Sequence, residues 1–135
     1  MTFKLAVAVR NALLDAIETS IGTDAVLKIR SGAAPTNITD SDSGTVLATL
    51  TLPADWLADA SGGSKALAGT WQDLSADAAG TAGHFRIYAS DGTTQKGQGT
   101  ITATGGGGDM ELDNTVLASG QEFNVTAFTL TAGNA

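Results

Sequence analysis

Asp109, Glu111 and Asp113 alternate along one short stretch, directly behind four consecutive glycines at positions 105–108. In an extended chain, side chains at every second position share a face, so three carboxylates would stand together there. Clustered oxygen donors of this kind suit calcium. An EF-hand loop, however, needs glycine at its sixth position and glutamate at its twelfth. Counted from Asp109, those places hold Asn114 and Gly120, and the other acidic stretch, residues 40–44, brings its glycine too early. Asp109, Glu111 and Asp113 therefore read first as a solvated acidic strand face and second as a calcium triplet. A phosphate-binding loop would need lysine and a hydroxyl residue after its last glycine, and a dinucleotide fingerprint would need a helix to follow. Asp109 stands there instead. The glycines are expected to form a turn or flexible tip, without a ligand, linking a strand that ends near Thr104 to Met110–Leu112.

Other chemistry lacks partners. His84 is the only histidine and cysteine is absent, so no HxxxH or CxxC metal spacing exists. No G-x-S-x-G elbow surrounds any serine, and no enzymatic activity or cofactor is expected. Trp56 and Trp71 could stack on a sugar, although core anchors or interface anchors are the commoner use of tryptophan in an aromatic-poor chain. His84, Arg86 and Tyr88 fall on one face of a strand. Together with the two tryptophans they are the candidate interface residues. Asn37 and Asn124 match the glycosylation acceptor pattern, which has meaning only behind a secretory signal.

The elements that must position these residues follow from composition and period. The chain has 135 residues, 17 glycines, two prolines, 16% charged and 5% aromatic residues, and a formal charge of −7. An acidic balance with seven scattered basic residues argues against a nucleic-acid partner. The longest apolar run near the start, "LAVAV", is far short of the roughly 20 residues of a membrane span, and a signal peptide is not expected.

Leu5, Val9, Ala12, Leu13, Ala16, Ile17 and Ile21 recur at three- and four-residue steps, which predicts a helix over about 3–21, with Thr2 as N-cap and Gly22 as C-terminal cap. Its apolar stripe is expected to pack on the protein's own β-domain. From residue 24 the period becomes two. Strands are predicted in "AVLKIR", "TVLATLTL" (stopped by Pro53), "KALAGTWQDL", "GHFRIYA", "KGQGTITAT" and "EFNVTAFTLT". Asp91 and Gly92 supply a two-residue hairpin turn. In the last strand Phe123 and Val125 are out of phase with Phe128 and Leu130, which calls for a bulge near Ala127 or burial on both faces. Residues 1–135 thus read as a single, mainly β domain: an antiparallel β-sandwich or jelly-roll-like fold of six to seven strands over about 24–131, with one N-terminal α-helix.

The segments "RNALLDAIETSIG", "AGHFRIYASDGTTQKGQGTI" and "GGGGDMELDNTVLASGQEFNVTAFTLTAGNA" together resemble small structural proteins of tailed bacteriophages and prophages. The resemblance spans most of the chain and contains no catalytic motif. It implies a virion component assembled in the host cytoplasm, a capsid decoration or cement protein whose partners are the major capsid protein and further copies of itself. A tail or head–tail structural role is the alternative within that class. A module binding a host glycan or surface ligand is the alternative from another.

Overall fold

A computed structural model describes residues 3–133. The protein is mainly β and sandwich-like, with one N-terminal helix, as its periodicities predict. Helix α1 runs Val7–Ile21 and starts four residues later than the stripe alone suggests. Ala6 occupies the N-cap without a side-chain cap bond, and Thr2 lies outside the described residues. Gly22 ends the helix at φ 97°, its N–H donating to Glu18 O at 2.9 Å, a conformation that glycine adopts without a Cβ clash.

Ten strands follow among the described residues: β1 Val26–Ser31, β2 Val46–Thr51, β3 Ser64–Ala66, β4 Trp71–Asp73, β5 Gly80–Tyr88, β6 Gln95–Ala103, β7 Met110–Leu112, β8 Val116–Leu117, β9 Phe123–Val125 and β10 Thr129–Thr131. The main sheet has the order β2-β1-β5-β6-β7, with β8 paired to the start of β5. Two small antiparallel ribbons, β10 with β3 and β4 with β9, complete the fold. Asp91 and Gly92 do lie between β5 and β6, but in a six-residue connection, 89–94, rather than a two-residue turn: Gly92, at φ 71°, donates its N–H to Ala89 O, and Ala89 N donates to Thr94 O.

The count exceeds six or seven because two predicted strands divide and because Met110–Leu112 and Val116–Leu117 form two further short strands. "KALAGTWQDL" becomes β3 and β4, and "EFNVTAFTLT" becomes β9 and β10. Its phase change is therefore a break rather than a bulge: β9 pairs with β4 and β10 with β3. Each piece keeps its own alternation, which lets Phe123, Val125 and Phe128 all enter the core.

One face of the main sheet, carrying Leu27, Ile29, Leu50, Phe85 and Ile87, packs against the two ribbons and the 52–57 segment. A chain of rings runs through this core. Trp56 and Trp71 lie 5.9 Å apart, Trp71 and Phe128 5.5 Å, and Phe128 meets Phe85 edge-on at 5.8 Å. Tilted and edge-on contacts at such separations add to area burial.

The glycine run solves a local problem of topology. β6 and β7 pair in parallel, Ile101 beside Met110 and Ala103 beside Leu112, although parallel neighbours ordinarily need a crossover of a dozen or more residues. Here the chain leaves β6, returns along its side through residues 104–109, and turns again into β7. Gly105 and Gly107 take φ of 87° and 80°. A Cβ on Gly106 would stand 2.6 Å from Thr102 Cβ, and one on Gly108 2.9 Å from Thr102 N. Two of the four glycines serve backbone direction and the other two serve close approach.

Candidate functional site

The acidic triplet shares a strand face, yet each carboxylate is engaged within the β6–β7 return. Asp109 accepts from Thr100 N at 2.8 Å and from its hydroxyl at 3.0 Å. Glu111 accepts from Gly105 N and Gly107 N, both at 3.0 Å, and Asp113 from the Thr104 hydroxyl at 3.1 Å. The N–H groups of Gly105 and Gly107 hold the Glu111 carboxyl below its ordinary value. The loop is thus an anion cradle whose anion is the chain's own Glu111. Among the described residues no group of three acidic or histidine side chains converges as a metal site. Asp109, Glu111 and Asp113 act as staples of the β6–β7 return.

The five candidate interface residues are all buried within the chain: Trp56, His84, Arg86 and Tyr88 at 0% exposure and Trp71 at 1%. This corrects the interface reading, since a partner cannot reach them in this conformation. Trp56 Nε1 donates to Gly22 O, and Trp71 Nε1 to Trp56 O and Ala68 O. Neither indole offers a face to a sugar.

His84, Arg86 and Tyr88 do occupy the sheet face opposite Phe85 and Ile87, as alternation requires. That face is covered by the 32–45 connection. Arg86 donates to Asp42 Oδ1 at 2.8 Å, Asp40 O at 2.9 Å, Asn37 O at 3.2 Å and Gln98 Oε1 at 3.0 Å. Arg30 pairs with Asp42 Oδ2 at 2.9 Å, and the Tyr88 hydroxyl donates to Asp42 Oδ1 at 2.8 Å. His84 Nδ1 meets Gly32 O at 2.9 Å, so the proton sits on that nitrogen. Burial alone would raise the Asp42 carboxyl, but hydrogen bonds from Tyr88 and Arg86 and the Arg30 charge outweigh it and hold the group below its ordinary value. Burial, then the bond to Asp42, pushes Tyr88 up. The arrangement is a clamp that fixes a long loop. Its key residue, Asp42, gives no spacing signal in the sequence.

The surface most available to another molecule is on α1. The helix docks through its polar side. Asn11 Oδ1 accepts from Gly63 N, Asp15 Oδ1 from Ala60 N and Lys65 Nζ, and Glu18 Oε1 from Leu57 N. Arg10 reaches Ala132 O. Leu14, at 2% exposure, is the one helix residue fully buried, and Ile21 packs at the core margin. The predicted stripe consequently faces outward: Val9 is 46%, Leu13 52% and Ile17 38% exposed. The expectation that this stripe packs on the protein's own sheet is overturned. Lys65, a buried cation in β3, draws the acidic side of the helix inward and turns the apolar side away. Beside the helix, Ile17 and Ile21 form one wall of a cleft of about 340 Å³ floored by Phe85, Ile87, Phe128 and Leu130.

No family model, curated protein or solved structure matches the chain.

Proposed function

We propose that the chain is a structural protein of a tailed-bacteriophage virion, specifically a capsid decoration or cement protein that binds the shell as a homo-oligomer. The observation that carries this reading is the uncovered apolar face of α1 on a small β-rich body, a surface prepared for contact with another chain. The phage-like pattern of the sequence supports it independently. The mechanism is mechanical. A β-domain bridging neighbouring capsid subunits adds buried interface at each contact, and a standard interface of about 1,600 Å², repeated over a particle, resists pressure from packaged DNA. No catalytic step is assigned. A tail or head–tail component is the alternative within the virion. The glycan-binding alternative loses its motivating residues, because Trp56 and Trp71 are buried.

Protein analysis of purified particles tests the reading. A copy number comparable to that of the major capsid protein is expected. A few copies per particle would move the chain to the tail, and absence from particles would overturn the virion role altogether.

A further inference from the structure

We propose that the sheet face carrying Arg30, Arg86 and Tyr88 is a carboxylate-binding site, filled here by the chain's own Asp42. Residues 32–45 are its lid, and a carboxylate from outside the chain displaces it. This goes beyond the virion reading and does not depend on it.

The first observation is an excess of positive charge. The β1–β5 register sets Lys28 beside Arg86 and Arg30 beside His84 on one face. Three of the chain's seven lysines and arginines thus gather there, on a protein with a formal charge of −7. Lys28 is turned to Gly92 O and the Tyr88 ring. Arg30 and Arg86, both buried, share the single carboxylate of Asp42. Asp40, the other lid carboxylate, is bonded to Asn37. Arg30 Nε is buried and meets no acceptor among the described residues. A buried donor left unmade is costly, and here it marks donor capacity that Asp42 does not use.

The second observation is the shape of the donor set. Asp42 Oδ1 accepts from Arg86 Nη1 and from the Tyr88 hydroxyl, both at 2.8 Å, and Oδ2 from Arg30 Nη2 at 2.9 Å. Each oxygen of a planar carboxylate therefore has its own guanidinium. Arg86 is held in that position by Gln98, a residue of the sheet and not of the lid. The donors are in place before a ligand arrives, which lowers the cost of binding one.

The third observation is how the lid is held. No residue from 32 to 45 is buried, so no apolar side chain anchors it in the core. Towards the sheet it offers the carbonyls of Gly32, Pro35, Asn37 and Asp40, together with Asp42. Water can stand in for those carbonyls. Asp42 is the one lid charge paired with the face, and its side chain is 34% exposed, so solvent reaches the site. Segments with so little apolar burial are the ones that open locally.

Sodium formate, with sodium chloride at equal ionic strength as control, tests the site. Asp42→Ala leaves the donors and frees the space. Its melting temperature should rise saturably with formate, with a Kd on the order of 50 mM. The guanidinium NMR signals of Arg30 and Arg86 should shift with the same Kd. In the wild type formate competes with Asp42 for the open state. The Asn37 and Asp40 amides are bonded within the lid, and Arg86 holds the carbonyls of both residues. Their exchange should accelerate by 1 + [formate]/Kd, about ten-fold at about 0.5 M. Absence of a saturable response in Asp42→Ala overturns the proposal, as do shifts that spare both arginines. Wild-type lid exchange that is the same in formate and chloride also overturns it, and this arm decides alone if Asp42→Ala does not fold. Inorganic phosphate binding ten-fold tighter than formate would overturn the carboxylate class. Absence from particles leaves this site intact, and failure of the site leaves the virion reading intact.

Discussion

Lys65 Nζ lies 2.7 Å from Asp15 Oδ1, joining β3 to α1 through an ion pair whose cation is 2% exposed. Glu18 Oε2 completes the site at 3.0 Å. Burial would push the Lys65 amine down, but the hydrogen bonds it donates to Asp15 and Glu18 hold it above its ordinary value. Breaking a buried pair costs several kcal/mol when the remaining charge is trapped. Here Asp15 is about half exposed and both carboxylates retain backbone donors. Lys65→Met should therefore cost about 2 kcal/mol, read as a lower urea midpoint at unchanged slope. A loss below about 0.5 kcal/mol would mean that Leu14 and Ile21 hold the helix unaided.

Stability should fall in acid. The Lys65 hydrogen bond and the Ala60 N–H hold Asp15 below its ordinary 3.8, and Asp42 and Glu111 are likewise lowered. The Thr94 hydroxyl and the N–H groups of Thr94 and Thr93 bring Asp91 to about 2. For a lowered carboxyl the contribution is complete above the unfolded value and is lost as pH falls through the folded one. Lys65, being raised, contributes fully below 10.5 and loses its contribution only above it. Thermal melts should be nearly level from about pH 5 to about pH 9 and decline below about pH 4. Equal melting at pH 7 and pH 3 would contradict this.

Adjacent leucines should behave oppositely. Leu14→Ala removes a buried side chain and should cost about 2–3 kcal/mol. Leu13→Asp changes a side chain that is 52% exposed and should alter the stability of dilute protein by no more than about 0.5 kcal/mol. The stripe periodicity alone predicts that Leu13→Asp unfolds the domain, so denaturation of the two variants separates the docked face from the free one.

Asp42 should be the most sensitive acidic position. Asp42→Ala strips the carboxylate from Arg86, which is fully buried, and from Arg30, which nearly is. With Asp42 itself about a third exposed, the expected loss is about 2–3 kcal/mol. Faster amide exchange should be confined first to residues 32–45, the loop that Arg86 pins. Uniform exchange across the sheet would argue against a local clamp.

Local patterns carried much of this fold. The period of two found β1, β2, β5 and β6, and Asp91 with Gly92 located the hairpin between the last two. Alternation also separated Phe85 and Ile87 from His84, Arg86 and Tyr88. What alternation does not encode is the cover on the second face, because Asp42 is brought there by tertiary folding of a long connection. The same limit explains α1. Its periodicity reveals an apolar side, but which side docks is decided by Lys65, more than forty residues away. The split of the final strand left a phase signal at Phe128, whereas the exchange of partners from β4 to β3 left none.

The margins of the main sheet bear on how such molecules can gather in number. On the β2 margin, Thr49 N–H donates to Asp73 Oδ2 and Leu47 O accepts from Asp77 N and Ala78 N. On the other margin, β7 is only three residues long. Strand-to-strand growth into fibres needs a long run of unpaired backbone groups, and both flanks deny it. Crowding at high local density is thereby steered away from open-ended β-polymerisation and towards closed contacts made by side chains.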